Sequence, residues 1–227
     1  PIMNFSIIIP VFNEENSIQE LLQQLEPYSS QHEILFVNDG STDKTYDLLN
    51  ECKFIQLYSH DRQRGKGKAL RLGLDKSLHP HVILMDGDLE VHVDNISAII
   101  GPILKNESSA VFGSRWHNGK HGFGLFSVGN WILNSIFNCV NNSSYSDVLC
   151  CMKAFNKNDI PINDLESKTF DIEVELSSFI HNKVQNIIEV PISYNRRSPN
   201  EGKKLKLRDG FTILKRIIKP NKNKKPH

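Results

Sequence analysis

Apolar residues in this chain fall into short continuous runs separated by stretches with helical spacing. Ser6–Val11 (SIIIPV) and Glu33–Val37 (EILFV) are the clearest runs, and Phe54–Tyr58 and Val82–Met85 add two more. Short, β-branched, unalternating runs are what strands buried on both faces require. Between them, Asn13–Leu25 sets Ile18, Leu21, Leu22 and Leu25 on one helical face. Ser41-Thr42-Asp43 is placed to cap a helix carrying Tyr46, Leu48 and Leu49, and Gly65–Leu78 reads as a helix with a glycine-rich start. Strands alternating with helices predict an α/β fold around a mainly parallel sheet. Such sheets bind ligands beyond the carboxyl ends of their strands. Glu14, Asp39 and Asp86 all fall just past predicted strand ends. The second half is less regular, with polar loops at Trp116–Phe123 and Asn141–Asp147. Leu125–Val140 is a very apolar helical stretch. Its wide apolar arc reads as core, the alternative being an interfacial helix with Trp131 at headgroup depth.

Asp86, Asp88 and Glu90 put three carboxylates within five residues, directly after a strand. In an extended segment alternate side chains point the same way, so the three would converge. Hard divalent cations take oxygen ligands, and Mg²⁺ is usually held by one or two carboxylates together with substrate phosphates. An ordinary acidic loop is the competing reading.

Length and charge narrow the picture. At 227 residues the chain suits one domain with a short appendage. The longest apolar stretch, Ile7–Phe12, is interrupted by Pro10, so neither a membrane span nor a signal peptide is expected. Cys52, Cys139, Cys150 and Cys151 form no CxxC pair, which points to a reducing cytosol. From Lys203 onward there are ten basic residues and one acid, so the remainder carries a net −8. An acidic body with a basic tail calls for an anionic partner such as a membrane surface, a lipid phosphate or nucleic acid.

Four segments in order carry a family likeness: Pro10-Val11-Phe12-Asn13-Glu14-Glu15, Asn38-Asp39-Gly40-Ser41-Thr42-Asp43, Gly65-Lys66-Gly67 and Asp86-Gly87-Asp88. Together they resemble the nucleotide-binding half of family 2 glycosyltransferases of the GT-A fold. In the second half, Phe112-Gly113-Ser114-Arg115, Ser146-Asp147 through Phe155, Phe170-Asp171-Ile172-Glu173, Val190–Tyr194 with Arg197, and Gly202–Leu205 are similar to motifs of polyprenyl-phosphate sugar synthases, the dolichol-phosphate mannosyltransferase type. The chain departs from that pattern at Gly87, where alanine is usual, at His92, where an acid is common, and at Cys151, which stands for a glycine.

The resemblance implies a GT-A domain over residues 1–210, with a nucleotide-binding half to about 95, an acceptor half beyond it, and a basic tail at 211–227. It implies an inverting transfer of a hexose from a GDP- or UDP-sugar to a polyprenyl or dolichyl phosphate, assisted by Mg²⁺ or Mn²⁺. Transfer to a hydroxyl of a glycan or lipid-linked oligosaccharide is the alternative. Pro10, Val11, Phe12, Glu14, Asp39, Lys66, Asp86 and Gly87 would bind the nucleotide, and Asp86, Asp88 and Glu90 the metal. Asp88, Arg115 and Arg197 would be catalytic, with Arg115, Arg197 and Lys204 gripping the acceptor phosphate. Asp147 is read as structural rather than as a base. The expected setting is the cytosolic face of a membrane, held peripherally, with a separate membrane-anchoring subunit as a further partner and no nucleic acid.

Overall fold

A computed structural model describes residues 3–116, 125–196 and 207–219. Its centre is a seven-stranded sheet in the order β3-β2-β1-β4-β6-β5-β7. The strands are β1 (Ser6–Val11), β2 (Glu33–Asn38), β3 (Gln56–Ser59), β4 (His81–Leu84), β5 (Ala110–Ser114), β6 (Lys153–Asn156) and β7 (Ile187–Pro191). β1 pairs in parallel with β2 and β4, and β5 with β7. β6 runs antiparallel between β4 and β5, with Val82 opposite Phe155 and Ala110 opposite the same residue. The sheet is therefore mainly parallel, as the alternating pattern predicts.

Among the described residues seven α-helices surround it: α1 (Ile18–Leu25), α2 (Thr45–Asn50), α3 (Lys66–Lys76), α4 (Asn95–Leu104), α5 (Leu125–Asn141), α6 (Ile172–Lys183) and α7 (Leu207–Ile218). The unbroken apolar run of β1 has a direct explanation. Ile7, Ile9 and Val11 pack with Leu21 and Leu25 of α1 and Ile96 and Ile99 of α4. Ile8 packs on the other face with Leu70 and Leu74 of α3 and Leu176 of α6. Both faces are covered, so neither parity of the strand can be polar.

Two boundaries and the burial of one helix differ from the sequence reading. The helix expected from Asn13 starts at Ile18. Asn13 sits at φ 50° and its Oδ1 accepts the Thr42 backbone N–H at 2.8 Å, which ties the β1 exit to the β2 exit. The boundary expected after residue 210 falls inside α7, whose Ile213 and Ile217 are buried against Phe137 of α5 and Val174 of α6. The first part of the basic segment thus folds onto the body. Finally, α5 is not wholly core. Phe137 is buried, but Val128, Trp131, Ile132 and Val140 are 41–53% exposed.

Candidate active site

The carboxyl ends of β1, β2, β4 and β5 open on one cleft of about 810 Å³. Its walls hold every expected site residue that lies within the described part of the chain. Pro10, Val11, Phe12 and Glu14 come from the end of β1, Asp39 from just past β2, Lys66 from the start of α3, Asp86, Gly87, Asp88 and Glu90 from the segment after β4, and Arg115 from just past β5. Arg197 and Lys204 lie outside the described residues.

The acidic segment after β4 bends instead of continuing extended, with Leu89 at φ 60°. Asp86 turns to Lys66, whose Nζ lies 2.6 Å from Oδ1. Asp88 Oδ1 accepts the Glu90 backbone N–H at 3.0 Å, while Glu90 Oε2 accepts the Tyr194 hydroxyl at 3.0 Å. The simple alternation expected from an extended segment is therefore corrected. Among the described residues, no three His, Cys, Asp or Glu side chains are arranged as a ready metal site. The donor chemistry still fits a hard cation. Three carboxylates line one wall, and burial, then Asp86 and Glu90, push the Asp88 carboxyl up to about 7. A charge so disfavoured is relieved by a cation.

Lys66 is one member of a buried chain of charges. Its Nζ also lies 2.8 Å from Glu173 Oε1, and Glu173 Oε2 accepts from Lys153 Nζ at 3.1 Å. Burial opposes the Lys66 charge, but Asp86 and Glu173 outweigh it and hold its pKa well above the ordinary lysine value. Glu173 and Lys153 lie in the motif segments Phe170–Glu173 and Ser146–Phe155, but the sequence assigns neither to this site.

Asp39 is nearly saturated by the loop between β3 and α3. Oδ1 accepts the Arg64 backbone N–H at 2.9 Å and lies 2.7 Å from His60 Nδ1, and Oδ2 accepts from Gly65 N at 2.7 Å. His60, in the loop between β3 and α3, is thus a partner of this carboxylate. Gly65 is required here. Its φ is +97°, and a Cβ would lie 2.2 Å from the Lys168 carbonyl oxygen. Glu14 Oε2 accepts the Ser17 hydroxyl at 2.9 Å.

Arg115 does not stand free over the cleft. Its Nε and Nη2 form a fork on Asp147, at 2.7 and 2.8 Å, and its backbone N–H bonds the same carboxylate at 3.1 Å. The guanidinium stacks 5.3 Å from the Tyr194 ring centre. Three further cations line the cleft without having been expected from the sequence: Arg64, which pairs with Asp61, and Arg196 and Arg208. Arg196 Nη1 donates to Ser127 Oγ on α5 at 3.1 Å.

A family model described as "Glycosyl transferase family 2" matches residues 6–160. The chain belongs to glycosyl transferase family 2. This family 2 glycosyltransferase is 27% identical to UDP-N-acetylglucosamine–dolichyl-phosphate N-acetylglucosaminyltransferase of Methanococcus voltae, over 93% of this chain and 94% of that protein. It is 26% identical to dodecaprenyl-phosphate galacturonate synthase of Rhizobium johnstonii, over 67% of this chain but only 48% of the relative. The match to undecaprenyl-phosphate 4-deoxy-4-formamido-L-arabinose transferase of Klebsiella pneumoniae is 24% identical and covers 89% of this chain and 63% of that one. The chain thus spans about half to two thirds of these two longer relatives. Among solved structures, glucosyl-3-phosphoglycerate synthase of Mycobacterium tuberculosis, in complex with Mn²⁺, UDP-glucose and phosphoglyceric acid, superposes with a TM-score of 0.73. That match has 18% identity and covers 97% of this chain and 81% of that one. It places the glycosyltransferase in the GT-A fold.

Gly87, the departure from the family alanine, has a steric cause. A Cβ there would meet Val11 Cγ1 at 2.4 Å and Ile9 Cγ2 at 3.3 Å. Gly87→Ala should cost about 1–3 kcal/mol as an overpacked site. Val11→Ala should relieve it, so urea denaturation of the four chains should show a favourable coupling of about 0.5–3 kcal/mol. Strict additivity would mean that Val11 is not what excludes the methyl group.

Proposed function

We infer that this chain moves a hexose from a uridine or guanosine diphosphate sugar to a polyprenyl or dolichyl phosphate, with inversion at the anomeric carbon. The observation that carries the reading is the charge layout of the cleft. Carboxylates Asp86, Asp88 and Glu90 and the cations Arg196 and Arg208 line the same cleft. The three relatives described above are all named for a dolichyl, dodecaprenyl or undecaprenyl phosphate.

Asp86, Asp88 and Glu90 would hold Mg²⁺ or Mn²⁺. When bound, the ion supplies Lewis-acid neutralisation of the leaving diphosphate. Pro10–Phe12, Glu14 and Asp39 shape the nucleotide end of the cleft, and Lys66 holds Asp86 in place from beneath. The acceptor phosphate is already an anion near neutral pH, so it attacks the anomeric carbon as the bond to the diphosphate oxygen breaks, and no general base is needed. The chain's task is to hold two anions together. Arg197 and Lys204 are the cations assigned to the acceptor. Arg115 is a positioning residue, because its fork is spent on Asp147. Asp147 is 1% exposed and fixed by that fork, which disfavours it as a base for a hydroxyl acceptor. Among the described residues no helix is long and apolar enough to cross a membrane, and we assign attachment to the cytosolic surface of one.

The test is a panel of UDP- and GDP-sugars with polyprenyl phosphate and with free glycans, products being resolved by mass. A glycosyl polyprenyl phosphate formed with Mn²⁺ and lost in excess EDTA is expected. Product on glycan hydroxyls alone would overturn the acceptor, and full activity in EDTA would overturn the metal.

A further inference from the structure

We propose that the outer face of the α5–α7 pair is the surface that seats this chain on an anionic lipid bilayer, with the cleft opening beside it. The proposal rests on the lipid-phosphate reading for its purpose, but it stands on separate observations.

α5 is seventeen residues long (LFSVGNWILNSIFNCVN) and contains no charged side chain. A solvated helix face normally carries charge. Here the exposed positions Val128, Trp131, Ile132, Ser135 and Cys139 recur every three or four residues, so they form one outward stripe of uncharged and largely apolar groups. α7 continues the pattern with a different composition. Its exposed residues are Arg208, Phe211, Thr212, Lys215 and Ile218, in which two large apolar groups lie among two cations and no acid; Lys219, just beyond the helix, is also exposed and pairs with Glu166. Phe211 is 76% exposed. The two helices lie side by side over one cluster, where Leu133, Ile136 and Phe137 meet Ile213 and Ile217. Their inner faces are thereby used, and their outer stripes share one side of the molecule.

The mixture decides the occupant. A protein partner or a second copy would be served by the apolar stripe alone. Aromatic and aliphatic tips flanked by lysine and arginine match an interface in which apolar groups enter the acyl boundary and cations stay among anionic headgroups. Lys222, Lys224 and Lys225 follow in sequence and add to the same sign. The location fits as well. Asn130 of α5 and Arg208, Asp209 and Ile213 of α7 belong to the wall of the cleft. A lipid phosphate whose tail stays in the bilayer would then reach the cleft by moving along the membrane plane, past α7, without leaving the lipid.

The experiment is co-sedimentation of the chain with phosphatidylcholine vesicles, with and without phosphatidylglycerol. It compares wild type, Trp131→Ser/Phe211→Ser, and Lys215→Glu. Transfer is measured in parallel to a short water-soluble prenyl phosphate and to a long-chain one in vesicles. Wild type should bind vesicles only when phosphatidylglycerol is present, and the double variant should bind about tenfold or more weakly. Lys215→Glu should weaken binding in a salt-dependent way. Both variants should keep wild-type transfer to the soluble acceptor and lose transfer to the vesicle-borne one. Unchanged vesicle binding by the double variant would overturn the proposal. So would wild type that ignores vesicles but dimerises through this face, or that binds only when an integral membrane protein is supplied. If binding falls as expected but wild type glycosylates neither prenyl phosphate, the membrane surface stands and the acceptor assignment fails.

Discussion

Replacing Asp88 by asparagine will lower sugar transfer by about two to three orders of magnitude and leave the chain folded. The size follows from the loss of one preorganised charge at the point where negative charge develops, typically about 2.7–4 kcal/mol. The fold should survive because Asp88 makes one backbone bond within its own loop, to Glu90 N, which an asparagine oxygen can also accept. A second readout needs no turnover. With no cation bound, the folded Asp88 carboxyl titrates near 7, above its ordinary 3.8. Above pH 7 both states carry the charge, but only the folded state holds it where it is poorly solvated and close to Asp86 and Glu90. As pH falls from 7 towards 4 the folded state takes up a proton that the unfolded chain lacks, so stability rises. His32 and His81, held below the ordinary histidine value by burial, work the other way, so the readout is the difference between chains: on going from pH 8 to pH 5.5, metal-free wild type should gain melting temperature relative to Asp88→Asn. Mn²⁺ should raise the melting temperature of wild type at pH 8 and leave the asparagine variant nearly unmoved. Normal transfer by Asp88→Asn, or equal Mn²⁺ stabilisation of both chains, would remove Asp88 from the metal site.

Arg197→Ala is expected to cost about ten- to a hundredfold in transfer to polyprenyl phosphate, the equivalent of one charge-assisted phosphate contact of about 1.5–3 kcal/mol. Arg197 lies outside the described residues, but its neighbour Arg196 is on the cleft wall, so the chain approaches the site at this point. Donor affinity by calorimetry should hold, because the assigned nucleotide contacts come from β1, β2 and β4. Lysine should rescue only partly, since it lacks the planar fork. Arg196→Ala makes the sharp comparison, because its guanidinium is engaged with Ser127. If Arg196→Ala carries the loss and Arg197→Ala is silent, the acceptor cation has been assigned one residue too late. A collapse of donor affinity in Arg197→Ala would move that arginine to the diphosphate.

The parts of this protein that were legible in its sequence are those written locally. β1 and β2 could be read because an unbroken β-branched run has few other uses, and Glu14, Asp39 and Asp86 because they follow such runs directly. The motif order did the rest. What could not be read depends on pairs far apart in the chain. The Arg115–Asp147 fork joins residues 32 positions apart, and Lys66 meets a glutamate on α6. No periodicity encodes such pairings. They changed the roles of residues already singled out: Arg115 became a buried positioning group, and Asp86 acquired a lysine. α5 was misjudged as core for a related reason. Apolarity along a helix shows that it avoids water, and says nothing of whether protein or lipid replaces the water.

The antiparallel β6 has a consequence for synthesis. β4 can pair with β1 as soon as Leu84 emerges, but its other edge waits for Phe155, the partner of Val82 and 73 residues later in the chain. At about 5–20 residues per second that wait lasts roughly 4–15 s. Throughout it a nascent chain with most of its first sheet assembled carries one open strand edge, the kind that pairs with whatever strand it meets. Crowding among neighbouring ribosomes on one message would be most harmful in that interval. Slow codons between residues 85 and 152 would lengthen it, and fast ones would be favoured there.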